Sequence, residues 1–151
     1  MPTTTSGISA WINAFADAMA VRANIVSWNV QVVTGFVSDT DRRDSLQIGD
    51  IIEGEQEWGV IGNRRRDEKF RVNSIIWVNR PGKGDAVIRA ARTRAFEILA
   101  EVEDELRLRA TVTATVKVAA LTRYTVEQGA STDGRWCQVD FEVSNWKDLP
   151  S

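Results

Sequence analysis

The sequence predicts an α+β fold: an antiparallel-rich mixed sheet of about five to six strands, with an N-terminal helix and a long central helix packed on it. Three observations carry this. Apolar residues recur at spacings of three and four in two separate stretches, and at a spacing of two elsewhere. The order of these patterns is helix, three strands, long helix, three strands. The 151 residues are 43% apolar, which suits a single domain, 1–151, built on one core.

Residues 1–6 are Thr-rich and read as a flexible or partner-docked extension, with Ser6 as a plausible N-cap. Ile8, Trp11, Ile12, Phe15 and Met19 then mark one face of a helix over about 7–22, with alanines filling the remainder. The period changes to two at Val26, Trp28, Val30 and Val32, which predicts a strand that Thr34-Gly35 stops. Residues 35–47 hold Asp39, Asp41, Arg42, Arg43 and Asp44 and read as an exposed charged loop. A second strand is expected from Leu46 to Trp58, broken by Gly49 and Gly54 and closed by Gly59 and Gly62. The strand over 68–79 is apolar on both faces near its end, and so belongs in the middle of a sheet.

Arg80-Pro-Gly-Lys-Gly-Asp85 has turn chemistry, with Asp85 as N-cap of the long helix. Its inner stripe is Ile88, Ala91, Ala95, Ile98, Leu99, Val102 and Leu106. Its outer face carries Arg89, Arg92 and Arg94, then Glu97, Glu101 and Asp104. Three further strands are expected around Val112–Val118, Arg123–Glu127 and Trp136–Val143, the last two joined by an Asp133-Gly134 hairpin. In the last of them Cys137, Val139, Phe141 and Val143 face inward. Residues 144–151 lack a core pattern and read as a second extension.

Charge and composition narrow the function. Lys and Arg number 19 against 21 Asp and Glu, so no global attraction to nucleic acid or anionic lipid is expected. The chain has no His, which removes the commonest general base and metal ligand. One cysteine excludes an intrachain disulfide and a Cys-cluster zinc site, and Cys137 has no His to activate it. No Gly-x-Ser-x-Gly elbow occurs, and the glycines near 59–62 and 82–84 miss the P-loop spacing. No basic leader or long apolar run is seen, so an intracellular chain without a membrane span is expected.

Glu53, Glu55 and Glu57 would project from one face of a strand, where clustered carboxylates can hold a divalent cation or split their pKa values. The simpler alternative is a charged strand edge that is solvated or faces a partner. Arg64-Arg65-Arg66 could contact phosphate, or pair with Asp67, Glu68 or a neighbouring subunit, and the nearby acids favour pairing. Trp11, Trp28 and Trp77 fall inside regular elements and suit core packing. Trp58, Trp136 and Trp146 fall near loops, outer faces or the tail, where tryptophan favours subunit contacts. Enzyme chemistry is not supported, and no cofactor is expected.

The run Gly49-Asp-Ile-Ile-Glu-Gly54-Glu-Gln-Glu-Trp58-Gly-Val-Ile-Gly62 is followed by an Arg-rich step into Asp67-Glu-Lys-Phe-Arg-Val72. Then come Arg80-Pro-Gly82, the helix Ala90–Leu106 and the strand after Asp133-Gly-Arg-Trp136. Over residues 25–143 this resembles the tail terminator proteins of long-tailed, siphovirus-type phages, in particular those of actinobacterial hosts. The resemblance implies a structural virion protein made in the host cytoplasm and located at the head–tail junction. Such a protein forms a ring of six copies that caps the tail tube, stops its polymerisation and joins it to the head-completion proteins. Its partners would be further copies of itself, the tail tube protein and a connector, with genomic DNA passing through unbound and no membrane involved.

Subunit or partner contacts are expected at Phe36, Glu53, Glu55, Glu57, Trp58, Arg64, Arg65, Arg66 and Trp146, chiefly within 35–68. Glu127, Asp140 and Glu142, on the outer faces of the last strands, are candidates for the ring's lumen. Alternatives are another junction component, such as a head-closure, neck or tail-completion protein, or a metal-dependent enzyme built on Glu53, Glu55 and Glu57.

Overall fold

Successive side chains of β3 (Arg65–Pro81) divide sharply: Phe70, Val72, Ser74, Ile76 and Val78 are buried, while their neighbours are not. A strand with one covered face is the unit from which this fold is built. The computed structural model describes residues 6–35, 43–60, 65–108 and 118–149, with the backbone alone described at 57–60, 65–66 and 148–149. The elements in order are α1 (Ile8–Ala20), α2 (Ala23–Ser27), β1 (Gln31–Thr34), β2 (Ser45–Val60), β3, α3 (Asp85–Leu108), β4 (Val118–Ala130) and β5 (Gly134–Leu149).

The described strands form one five-stranded sheet in the order β1-β2-β3-β5-β4, antiparallel except for β1 alongside β2. β3 is central, as its apolar run predicts. α1 and α3 pack on one face of the sheet, and their buried residues join those of β2, β3 and β5 in a single cluster. Trp11 stacks on Phe15 at 5.0 Å and meets Phe70 edge-on at 6.0 Å, anchoring α1. From α3 come Ala91, Ala95, Ile98, Leu99, Val102 and Leu106, as the stripe predicts, while Ile88 is half-buried. From β5 come Cys137, Val139, Phe141 and Val143, again as predicted.

Several expectations are corrected. The strand expected from Val26 begins only at Gln31, because Ala23–Ser27 form a short helix that buries Ile25 and leaves Val26 63% exposed. Asn29, at φ 56°, ends that turn in the left-handed region that Asn tolerates better than most residues. Four alternating residues were too few to distinguish a strand from one helical turn. The N-cap of α1 is Gly7, although Ser6 Oγ accepts the Ile8 N–H at 3.2 Å. Asp85 is the first residue of α3 and bonds Arg89 one turn on.

The charged loop ends earlier than expected, since Ser45–Gln47 are strand. Gly49, at φ 87°, sits in a bulge of β2. Gly54 does not break the strand: its missing Cβ makes room for Ile8, whose Cδ1 would lie 2.9 Å from it. Residues 144–149, read as an extension, continue β5 between β3 and β4, with Asn145 buried. Val118 and the Tyr124 segment belong to one strand, bent at Thr122, and 112–117 lie outside the described residues. Glu101, placed on the outer face of α3, is buried.

Candidate functional site

Among the described residues no helix covers the other face of the sheet. Across it the pairing aligns Glu55, Lys69, Trp146 and Val118, then Glu53, Arg71, Ser144 and Ala120. Lower rows carry Asn73, Glu142 and Arg123, then Ile75, Asp140 and Thr125, then Trp77, Gln138 and Glu127. Period two puts these on one side, with the irregularity at Thr122 keeping β4 in phase, and on β3 and β5 the residues between them build the core. At the upper end lies a groove of about 680 Å³, with Glu53, Arg71, Glu55 and Lys69 on one flank and Trp146 and Val118 on the other.

This face gathers most of the described candidates. Glu53, Glu55 and Trp146 line the groove, and Glu127, Asp140 and Glu142 lie on its continuation. The proposed contact residues and lumen residues therefore share one surface, which the sequence did not reveal. Glu57, Trp58, Arg65 and Arg66 are placed by backbone register only, near the tip of the β2–β3 hairpin. Phe36 and Arg64 lie outside the described residues.

The chemistry of the face is that of contact and solvation. Glu53 Oε2 accepts from Arg71 Nη2 at 2.8 Å, but both side chains are more than half exposed, so the pair adds little stability. Among the described residues no group of three or more His, Cys, Asp or Glu is placed to hold a metal ion. Thr122 Oγ1 lies 3.2 Å from Glu142 Oε1 and 2.9 Å from Ser144 Oγ. Cys137 points the other way, into the core, where burial pushes its thiol up and Arg92 only partly offsets this.

At the lower end Trp77 and Trp136 stack at 5.2 Å. The Trp136 indole lies against Gly129, where an added Cβ would collide with Cζ2 and Cε2. Gly129→Ala should therefore swing the indole off the strand and cost about 1–3 kcal/mol, as overpacking does. A shifted tryptophan emission and a lower urea midpoint would show it. An unchanged emission spectrum would mean that the stack does not depend on the glycine.

Sequence reading missed two ionic ties behind the face. Arg22 Nε and Nη1 donate to Glu101 Oε2 at 2.6 Å and Glu105 Oε2 at 2.7 Å, and Asn24 Nδ2 donates to Glu101 Oε1 at 2.6 Å. Arg80 forks onto Asp44 at 2.7 and 2.9 Å, which raises the Arg80 pKa and ties the start of β2 to the end of β3. The only signal for the first was the i, i+4 spacing of Glu101 and Glu105 beside the apolar stripe.

No helix among the described residues is long and apolar enough to cross a membrane. In comparison with known proteins, the chain matches no family model and no curated protein.

Proposed function

We propose that this chain is a structural subunit of a phage tail, a tail terminator whose copies close a ring at the head-proximal end of the tail tube. The observation that carries the reading is the helix-free sheet face. It is polar and acidic at Glu127, Asp140 and Glu142, and it adjoins a groove edged by Glu53, Glu55 and Trp146. A ring through which DNA slides needs a lumen where acids outnumber cations that could grip phosphates, and that stretch of the face sets three carboxylates against one arginine, Arg123. The β2–β3 hairpin presents acids and arginines in separate blocks, which suits head-to-tail contact with the next subunit. The resemblance over residues 25–143 supplies the phage setting.

The reading is tested in particles assembled without the protein. Overlong tails lacking heads are expected, and complete virions would overturn it. Tails of normal length that merely fail to attach would assign the chain to the neck instead. Trp58→Ala, and Arg64, Arg65 and Arg66 all changed to Glu, should give the same overlong tails with unchanged circular dichroism. Truncating a buried interface anchor often costs about 2 kcal/mol or more.

A further inference from the structure

The described sheet ends on two long strand edges. β1 covers β2 only at Ser45–Ile48, so from Ile51 to Val60 no described strand lies along the outer edge of β2. β4, thirteen residues long, closes the sheet at the other side and has β5 as its single described neighbour. Backbone N–H and C=O groups on edges that no described strand covers are templates for pairing with another chain. Eight large apolar side chains are exposed among the described residues, and four of them, Ile51, Ile52, Val118 and Tyr124, stand on these two strands.

We infer that β4 of one copy adds to the outer edge of β2 at 51–60 in the next, so that the sheets run on from subunit to subunit. The inference rests on the ring reading above and names the contact that would build the ring. Direction permits it. β2 opposes β3, β3 opposes β5 and β5 opposes β4, so β4 runs opposite to β2. Copies related by rotation therefore bring the two edges together antiparallel, the pairing that dominates within the chain. The contact joins two different patches, and such contacts make a ring where the rotation between copies closes. β1 blocks the base of β2, so the incoming strand must sit displaced toward the hairpin, and stagger of this kind is required when a sheet closes on itself.

Charge selects this pairing over β2 with β2. Self-pairing would set Glu53 and Glu55 against the same acids, and like charges directly opposite destabilise a ladder. β4 instead offers Arg123 on the same open face, exposed and without an ion pair among the described residues.

The test is a charge exchange across the contact. Glu53→Lys with Glu55→Lys, and separately Arg123→Glu, should each raise the concentration for half-assembly about tenfold or more. Circular dichroism and melting serve as the control for folding. Mixing the two variants in equal amounts should restore rings, because alternating copies again pair acid with base at every contact. Particle mass by light scattering reads all three samples. Amide exchange on the wild-type ring should show protection of 51–60 and 118–126 that the monomer lacks. Wild-type rings with those amides unprotected, or variants that assemble normally, overturn the edge pairing and leave the ring reading standing. A chain that is monomeric both in solution and at the tail end overturns the ring reading, and the edge pairing with it.

Discussion

Arg22→Met is expected to destabilise the fold by about 3–5 kcal/mol, the usual cost of removing one partner from a buried ion pair. Glu101 and Glu105 are only 8% and 3% exposed, and the Arg22 guanidinium bonds both. Without it two carboxylates stay buried with Asn24 as the one described side chain still donating to Glu101. The cluster ties the α1–α2 junction to the last turns of α3, so the loss should appear as global unfolding at lower urea.

The pH response should change sign. Burial works to raise the Glu101 pKa, but the bonds from Asn24 and Arg22 outweigh it and hold the group below its ordinary value. A carboxyl held low stabilises above its unfolded value, about 4.3, and that stability is lost as pH falls through the lower folded value. With Arg22 gone, burial outweighs the one remaining bond from Asn24, and the folded state binds protons more tightly than the unfolded chain. The variant should then gain stability as pH falls from 7 toward 5, while the wild type does not. Urea melts at the two pH values decide it. A variant with the wild-type midpoint at both would show that water already solvates the carboxylates.

The parts of the fold that could be read in advance are those where periodicity is long. The stripe of α3 repeats over 24 residues and the inward series of β5 continues as far as Asn145, so chance matches average out. Residues 23–34 were misread because four alternating apolar positions fit a helical turn followed by a left-handed Asn29 as well as they fit a strand. Residues 144–149 were missed for a different reason. Lys147 and Asn145 are polar, yet they lie at ladder positions, and the pairing of β5 with β3 holds them in the sheet. Glu101 shows the limit of charge patterning: its burial depends on Arg22, 79 residues away, and no local window contains both. The candidate face was legible as separate residues, since Glu53, Trp146 and Asp140 each stood on an outward position. That they share one surface follows from strand order, which pattern alone does not fix.

Trp11→Ala should be as costly as the loss of Arg22, about 3–5 kcal/mol, because truncating a buried aromatic loses both its transfer energy and its packing partners. Trp11 is fully buried between Phe15 and Phe70, and it is the largest side chain that α1 places against the sheet. The other ties of α1 are smaller: the Gly7 N–H donates to the buried Glu68 at 2.7 Å, and Ile8 seats over Gly54. Neither replaces an indole. Trp11→Phe should recover much of the loss, since it keeps an aromatic ring and removes an indole Nε1 that has no acceptor among the described residues. Two outcomes can be told apart by amide exchange. If α1 is integral to the core, protection falls together in α1, β3 and β5, because one cluster contains them all. If α1 merely leans on a sheet that stands alone, only α1 loses protection and the urea midpoint hardly moves. The continuity of the core from Trp11 through Phe70 to Phe141 argues for the first, and a urea midpoint close to the wild type's would refute it.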